Sequence, residues 1–157
     1  MDYGHPIEFG AFITPAAADP QAPVALAQLA EAVGLDLVTF QDHPYQPSFL
    51  DTWTLMSYVA ARTDSIRIAP YVLNVPLRPP AVVARSAASL DLLSGGRFEL
   101  GLGAGGFWDA IEGMGGTRLT QGQAVTALGE AIDVIRGLWD TSERRGLFTD
   151  GRFHAVH

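Results

Sequence analysis

Residues 66–106 read IRIAPYVLNVPLRPPAVVARSAASLDLLSGGRFELGLGAGG, and this stretch decides the fold. An apolar run, Ile66 to Pro70, has the length and β-branched character of a buried strand. A proline-punctuated connection follows. Val83, Ala87 and Leu90 then recur at helical spacing, and Gly95-Gly96 supplies a helix stop. Arg97 to Gly101 is a second strand that leads into glycines. Strand, helix and strand at this spacing form a βα unit of a parallel sheet. The same pattern extends toward the N-terminus. Strands are predicted to begin near Ile7, Leu37, Ile66 and Phe98, at intervals of 30, 29 and 32 residues. Four such units make an α/β domain, residues 1–157, equal to the first four of the eight units of a TIM-type barrel: a half-barrel.

The remaining elements follow from local signals. Ile7 to Ile13 is the first strand and Leu37 to Phe40 the second. Asp19-Pro20 predicts the start of the first helix, with Leu26, Leu29, Ala30 and Val33 as its apolar face and Gly34 as its end. Asp51 is placed to cap the helix that carries Trp53, Met56 and Val59. A glycine-rich loop is expected from the fourth strand to Thr120. Thr120 and Gln123 match a capping box. They open a helix with Ala124, Leu128, Ala131, Ile135 and Leu138 on one face. The tail LFTDGRFHAVH predicts a hairpin turned at Asp150-Gly151. Trp53 and Trp139 are expected in the core.

Composition removes several classes of function. At 157 residues and 48% hydrophobic, the chain is long and apolar enough for one real core. Net charge is −7 and every basic residue is arginine, which argues against nucleic-acid binding and lysine-based Schiff-base or P-loop chemistry. No cysteine is present, so disulfides and thiolate-metal sites are excluded. His5, His154 and His157 fit no metal spacing, and no metal site is expected. No apolar run reaches the ~20 residues of a membrane span, and MDYGHPIEF does not read as a secretory signal. A cytoplasmic location is the expectation.

In parallel βα architecture, functional residues collect at the strand C-terminal ends. Those ends are Phe12-Ile13-Thr14, Gln41-Asp42-His43, Tyr71-Val72-Leu73-Asn74 and Gly103-Ala104-Gly105-Gly106. His43 can move a proton near neutral pH, and Asp42 could set its tautomer or bond a cofactor. The same pair also reads as a solvated loop. Gly101 to Gly106 formally contains GxGxxG, but the helix starts too late for a dinucleotide fingerprint, so a Rossmann unit is disfavoured. The glycines read either as a surface for a flat ring or phosphate, or as a flexible loop. Phe107 and Trp108, in that loop, could wall a pocket.

Three segments, QDHPYQP at 41–47, LRPPAVVARSAASLDLLSGGRFELGLGAG at 77–105 and AIDVIRGLWD at 131–140, resemble the luciferase-like flavin- and deazaflavin-dependent oxidoreductases. The resemblance implies hydride transfer between a small organic substrate and coenzyme F-420, with FMN-dependent monooxygenation as the alternative. It implies His43 as the acid/base and Asp42, His43, Tyr71, Val72, Asn74, Gly103, Ala104, Gly105 and Gly106 as cofactor-binding, with a cis Tyr71–Val72 bond. Several deazaflavin members carry a carboxylate where this chain has Gly106-Phe107. The phosphate grip of such barrels uses loops after the seventh and eighth strands. A homo-oligomer, or association with a missing C-terminal half, is therefore expected. A non-enzymatic half-barrel is the rival from another class.

Overall fold

A computed structural model describes Gly4, residues 6–142 and residues 146–157; His5 lies outside the described residues. Strands β1 (Gly10–Ile13), β2 (Leu37–Phe40) and β3 (Arg67–Pro70) form a parallel sheet in that order. Gly10 pairs with Leu37, and Leu37 with Arg67. The fourth strand joins in two pieces. Around Phe98 it bonds to β3: the Ile68 N–H donates to the Arg97 carbonyl and the Glu99 N–H to the Ile68 carbonyl, both at 2.9 Å. Further on, β4 (Leu73–Asn74) pairs in parallel with β5 (Leu102–Gly103). The break lies opposite Tyr71-Val72. The fourth strand thus reaches Gly103, two residues past the expected end.

Helices α1 (Ala22–Ala32), α2 (Thr52–Ala60) and α3 (Pro80–Ser94) connect these strands, and α5 (Gln121–Trp139) packs on α3. Asp51 caps α2 by accepting from the Thr54 N–H at 2.9 Å. Thr120 and Gln123 form the expected capping box at α5. Gly95, at φ 72°, closes α3 in the left-handed region that favours glycine.

Several local expectations change, among them the first strand, which starts at Gly10 rather than Ile7. Helix α1 begins at Ala22 rather than Pro20, because the Asp19 side chain accepts from the Gln21 N–H in a turn of its own. Its buried face is Pro23, Val24, Ala27 and Ala30, whereas Leu26, Leu29 and Val33 are exposed. The small residues let α1 lie close on the sheet, and the large ones are displaced to its flank. The glycine-rich loop also contains a short helix, α4 (Trp108–Gly113).

The core between sheet and helices contains Val38, Phe40, Met56, Val59 and Ile68, each almost fully buried. Trimming one of the larger of these to alanine is expected to cost about 2–5 kcal/mol. A second cluster, Leu73, Val83, Ala84 and Ile135, lies beneath α5, and Trp53 touches both. Trp139 is half exposed instead of core, although its indole N–H donates to the Ala84 carbonyl at 2.9 Å.

At the end away from the strand C-termini, Arg97 bonds with all three guanidinium nitrogens. Its donors reach the carbonyls of Ala60, Thr63, Ile66 and Ser94 and the Thr63 hydroxyl, at 2.8–3.1 Å. Nearby, the Glu31 carboxylate accepts from the N–H groups of Asp64, Ser65 and Ile66. Burial pushes its pKa up, but these bonds outweigh that and hold it at about 2. The C-terminal hairpin, β6 (Thr149–Asp150) with β7 (Ala155–Val156), is antiparallel and has a four-residue loop rather than a two-residue turn. The Glu130 carboxylate, on α5, accepts from the N–H groups of Arg152, Phe153 and His154 and fixes that loop.

Candidate active site

The chain leaves β2 and turns at once, because Pro44 and Pro47 forbid further ladder bonds. Asp42 and His43 therefore point to different places. Asp42 is 2% exposed and turned inward. Its carboxylate accepts from the Asn74 N–H at 2.9 Å and from Arg78 Nε and Nη2 at 2.9 and 2.8 Å. The Arg78 pair is bidentate, the strong geometry for a carboxylate. Arg78 also bonds Asp51, the α2 cap, at 2.8 Å. Burial pulls the Arg78 pKa down, but the two carboxylates more than reverse this and raise it. Burial likewise pushes Asp51 up, and its bonds to Arg78 and Thr54 bring it below its ordinary value.

His43 is half-buried in an aromatic surround. Tyr45 and Phe49 stack against its ring at centroid distances of 5.4 and 6.3 Å, and Phe107 meets it edge-on at 5.4 Å. Among the described residues no group hydrogen-bonds its imidazole. Asp42 does not orient it, so the ring stays free to exchange a proton with a bound molecule. Burial raises the Tyr45 pKa, the charge of Asp42 adds to this, and the Asn74 amide beside its hydroxyl opposes both.

The Tyr71–Val72 bond is cis. Tyr71 and Val72 are both exposed, and Tyr71 packs edge-on against Phe12 at 6.0 Å. The glycines that follow serve this bulge. A Cβ on Gly101 would sit 2.5 Å from the Pro70 carbonyl oxygen, and one on Gly103 would sit 2.4 Å from Val72 Cγ2. Gly105 has φ +91°, and a Cβ there would meet Pro76 at 2.8 Å. Gly106 faces open space. Ala104 lines a cavity of about 260 Å³ together with Val75, Leu119 and Phe153.

The structure therefore brings the sequence-predicted residues to one end of the sheet but divides their tasks. His43, Tyr71, Val72 and Gly106 present themselves outward. Asp42, Gly103 and Gly105 hold the surface in shape. Sequence reasoning missed Arg78, which fixes Asp42. A single arginine among prolines, beside a strand end that carries an aspartate, was the available signal, since a buried cation needs a carboxylate.

An isoalloxazine or deazaflavin ring suits this surface. Asn74 Oδ1 is buried without a hydrogen-bond partner, an acceptor that could meet the ring's N–H. Arg78 and Arg118 are already bound to carboxylates, Arg118 to Asp109 and Glu112. This surface thus offers a ring face more readily than a phosphate grip.

The sequence matches the family model described as luciferase-like monooxygenase over residues 1–157, and the chain belongs to that family of oxidoreductases. Relatives include an F-420-dependent glucose-6-phosphate dehydrogenase of Kribbella flavida, 35% identical over 143 residues. That alignment covers 86% of this chain and 41% of the relative. One of the same name from Kineococcus radiotolerans is 34% identical, covering 99% of this chain and 47% of the relative. The chain thus spans about half the length of the curated relatives it matches. Among solved structures, an F-420-dependent secondary alcohol dehydrogenase in complex with an F-420–acetone adduct superposes with a TM-score of 0.83 at 24% identity, over 95% of this chain and 46% of that one. The oxygenating constituent of 3,6-diketocamphane monooxygenase from Pseudomonas putida, in complex with FMN, gives 0.79 at 23%, over 95% and 42%. These likenesses place the parallel sheet within a TIM-type barrel fold, of which this chain is a part.

Proposed function

We propose that this chain forms one wall of the redox site of an oxidoreductase that moves hydride between a small organic substrate and coenzyme F-420. His43 carries the accompanying proton. F-420, when bound, takes up or delivers the hydride at its ring. Tyr71 and Val72 back the ring, Asn74 Oδ1 accepts from its polar edge, and Gly106 leaves room for its approach. Asp42 acts through structure, by holding Asn74 and Arg78. The observation that carries this reading is the unbonded His43 imidazole, held by Tyr45, Phe49 and Phe107 at the end where the sheet exposes its bulge.

The choice of F-420 over FMN rests on the F-420-dependent relatives above 30% identity. FMN-dependent monooxygenation remains the second reading, supported by the fold it shares with the FMN-bound monooxygenase. Titrating the purified chain with each coenzyme and following its absorbance tests both. A spectral shift with F-420 but not FMN is the expected result, and it should survive His43→Gln while turnover in a complete barrel falls about 10²–10⁴-fold. A chain that ignores both coenzymes, alone and when completed by a second half, overturns the proposal.

A further inference from the structure

Phe107 stands beside His43 and is left open. Its ring meets the imidazole edge-on at a centroid distance of 5.4 Å and the Tyr45 ring at 6.0 Å, yet the residue is 62% exposed. Its place is fixed by what flanks it. Phe107 directly precedes α4, and its carbonyl accepts from the Ile111 N–H at 2.9 Å. Ile111 is fully buried, and Ile111 and Trp108 both pack over Gly105, where a Cβ would come 3.2 Å from each side chain. Arg118 ties Asp109 to Glu112 on the same helix. The backbone at Phe107 is thus anchored while most of the ring stays bare.

The proposed coenzyme contact, on Tyr71 and Val72, does not use this ring. Sites for small molecules pair an apolar wall with a few polar groups that fix orientation. Here Phe107 is such a wall, and His43 is the polar group beside it. Other polar groups nearby are already engaged. Of the three rings that touch the imidazole, only Tyr45 has a hydroxyl, and the Asn74 amide lies beside it. The guanidinium of Arg78 holds Asp42 and Asp51, and that of Arg118 holds Asp109 and Glu112.

We propose that Phe107 determines the substrate, an uncharged alcohol (or the matching carbonyl compound) whose reacting carbon carries an aromatic ring. That ring lies against Phe107, and the oxygen meets His43. The inference rests on the function proposed above. In the oxidising direction the C–H bond breaks and its electron pair passes as hydride to the coenzyme ring. The O–H proton passes to the His43 imidazole, and the C=O bond forms. The alcohol is oxidised by two electrons and F-420 is reduced by two. A sugar, with hydroxyls on the neighbouring carbons, would set them against a bare hydrocarbon ring and leave them unpaired. A phosphate would find Arg78 and Arg118 already bonded. An aromatic ring instead covers Phe107 and removes both surfaces from water.

The test uses the full chain, with the His43 imidazole observed by NMR and assigned through His43→Gln. The probes are benzyl alcohol, glucose and glucose-6-phosphate, each titrated without coenzyme. Benzyl alcohol should shift the His43 signals and saturate, while the two sugars at equal concentration leave them in place. Phe107→Ala should weaken the alcohol about ten-fold, and Phe107→Leu, which keeps an apolar contact, should fall between. Both variants should melt as the unmutated chain does. Phe148→Ala removes a 75% exposed ring just before β6 and should bind the alcohol normally, which separates recognition from general apolar adhesion. No shift with benzyl alcohol, an equal shift with glucose-6-phosphate, or equal binding by Phe107→Ala would each overturn the inference. Coenzyme titration is read separately. A chain that takes F-420 and not the alcohol overturns this inference alone. One that takes the alcohol and neither coenzyme overturns the proposed function and supports Phe107 as the recognising ring.

Discussion

Replacing Arg78 by alanine tests the central contact of the site. The guanidinium gives two of the three hydrogen bonds that reach Asp42, at 2.8 and 2.9 Å, and Asp42 is 2% exposed. Its removal leaves a buried carboxylate with one backbone donor, the Asn74 N–H. Breaking a buried pair in this way costs about 3–5 kcal/mol. The lost bond to Asp51 adds little, about 0–1 kcal/mol, because Asp51 is largely open to water. The total is a large share of the ~5–15 kcal/mol available to a domain. For a chain of this size, 3–5 kcal/mol lowers Tm by about 6–20 °C. Urea unfolding followed by tryptophan fluorescence would measure it. The double variant Asp42→Asn/Arg78→Met leaves no buried charge and should recover at least about 1 kcal/mol relative to Arg78→Ala. An Arg78→Ala protein within about 1 kcal/mol of the unmutated chain would refute the reasoning, as would a double variant no more stable than the single.

Glu31→Gln should cost about 1–2 kcal/mol at neutral pH by weakening bonds to three backbone donors. Because the folded pKa, about 2, lies below the ordinary 4.5, that contribution is full above about pH 4.5 and is lost as pH falls toward 2; urea midpoints across this range should converge for the two proteins. Gly101→Ala should lose about 1–3 kcal/mol, because its Cβ would press on a backbone oxygen, while Gly106→Ala should stay within about 0.5 kcal/mol. Equal thermal melts for the two alanine variants would contradict the packing described for the bulge. Glu130→Gln should speed amide exchange at residues 152–154 and leave the amides of β2 and β3 protected, as hydrogen-exchange mass spectrometry would read directly.

The strand order and the position of the mouth were legible in the sequence, because a parallel strand buried on its helix side is a short apolar run with a turn at each end. Leu37 to Phe40 and Ile66 to Pro70 illustrate this. The apolar face of α1 was not legible. Leu26, Leu29 and Val33 recur at helical spacing just as Pro23, Val24, Ala27 and Ala30 do, and only the closeness of helix to sheet selects the smaller set. The role of Asp42 was hidden for a related reason. Its partner lies 36 residues away in the chain, and nothing local distinguishes a carboxylate that faces a ligand from one that faces an arginine. The glycines after the fourth strand were noticed, but their neighbours were not foreseen. Most of them make room for protein, Pro70, Val72 and Pro76, and Gly106 alone of those at 101–106 opens outward.

Arg97 bears on how such a chain can be altered over time. One side chain ties the end of α2, the loop before β3 and the end of α3 to the root of the fourth strand. Two chain reversals thus share a single anchor at the end remote from His43. Insertions, cuts or permuted termini placed within residues 60–66 or 94–97 would have to give up that anchor. Segments at the other end, such as residues 114–119, do not meet that anchor, so new recognition surfaces can be tried there while the strands stay in register.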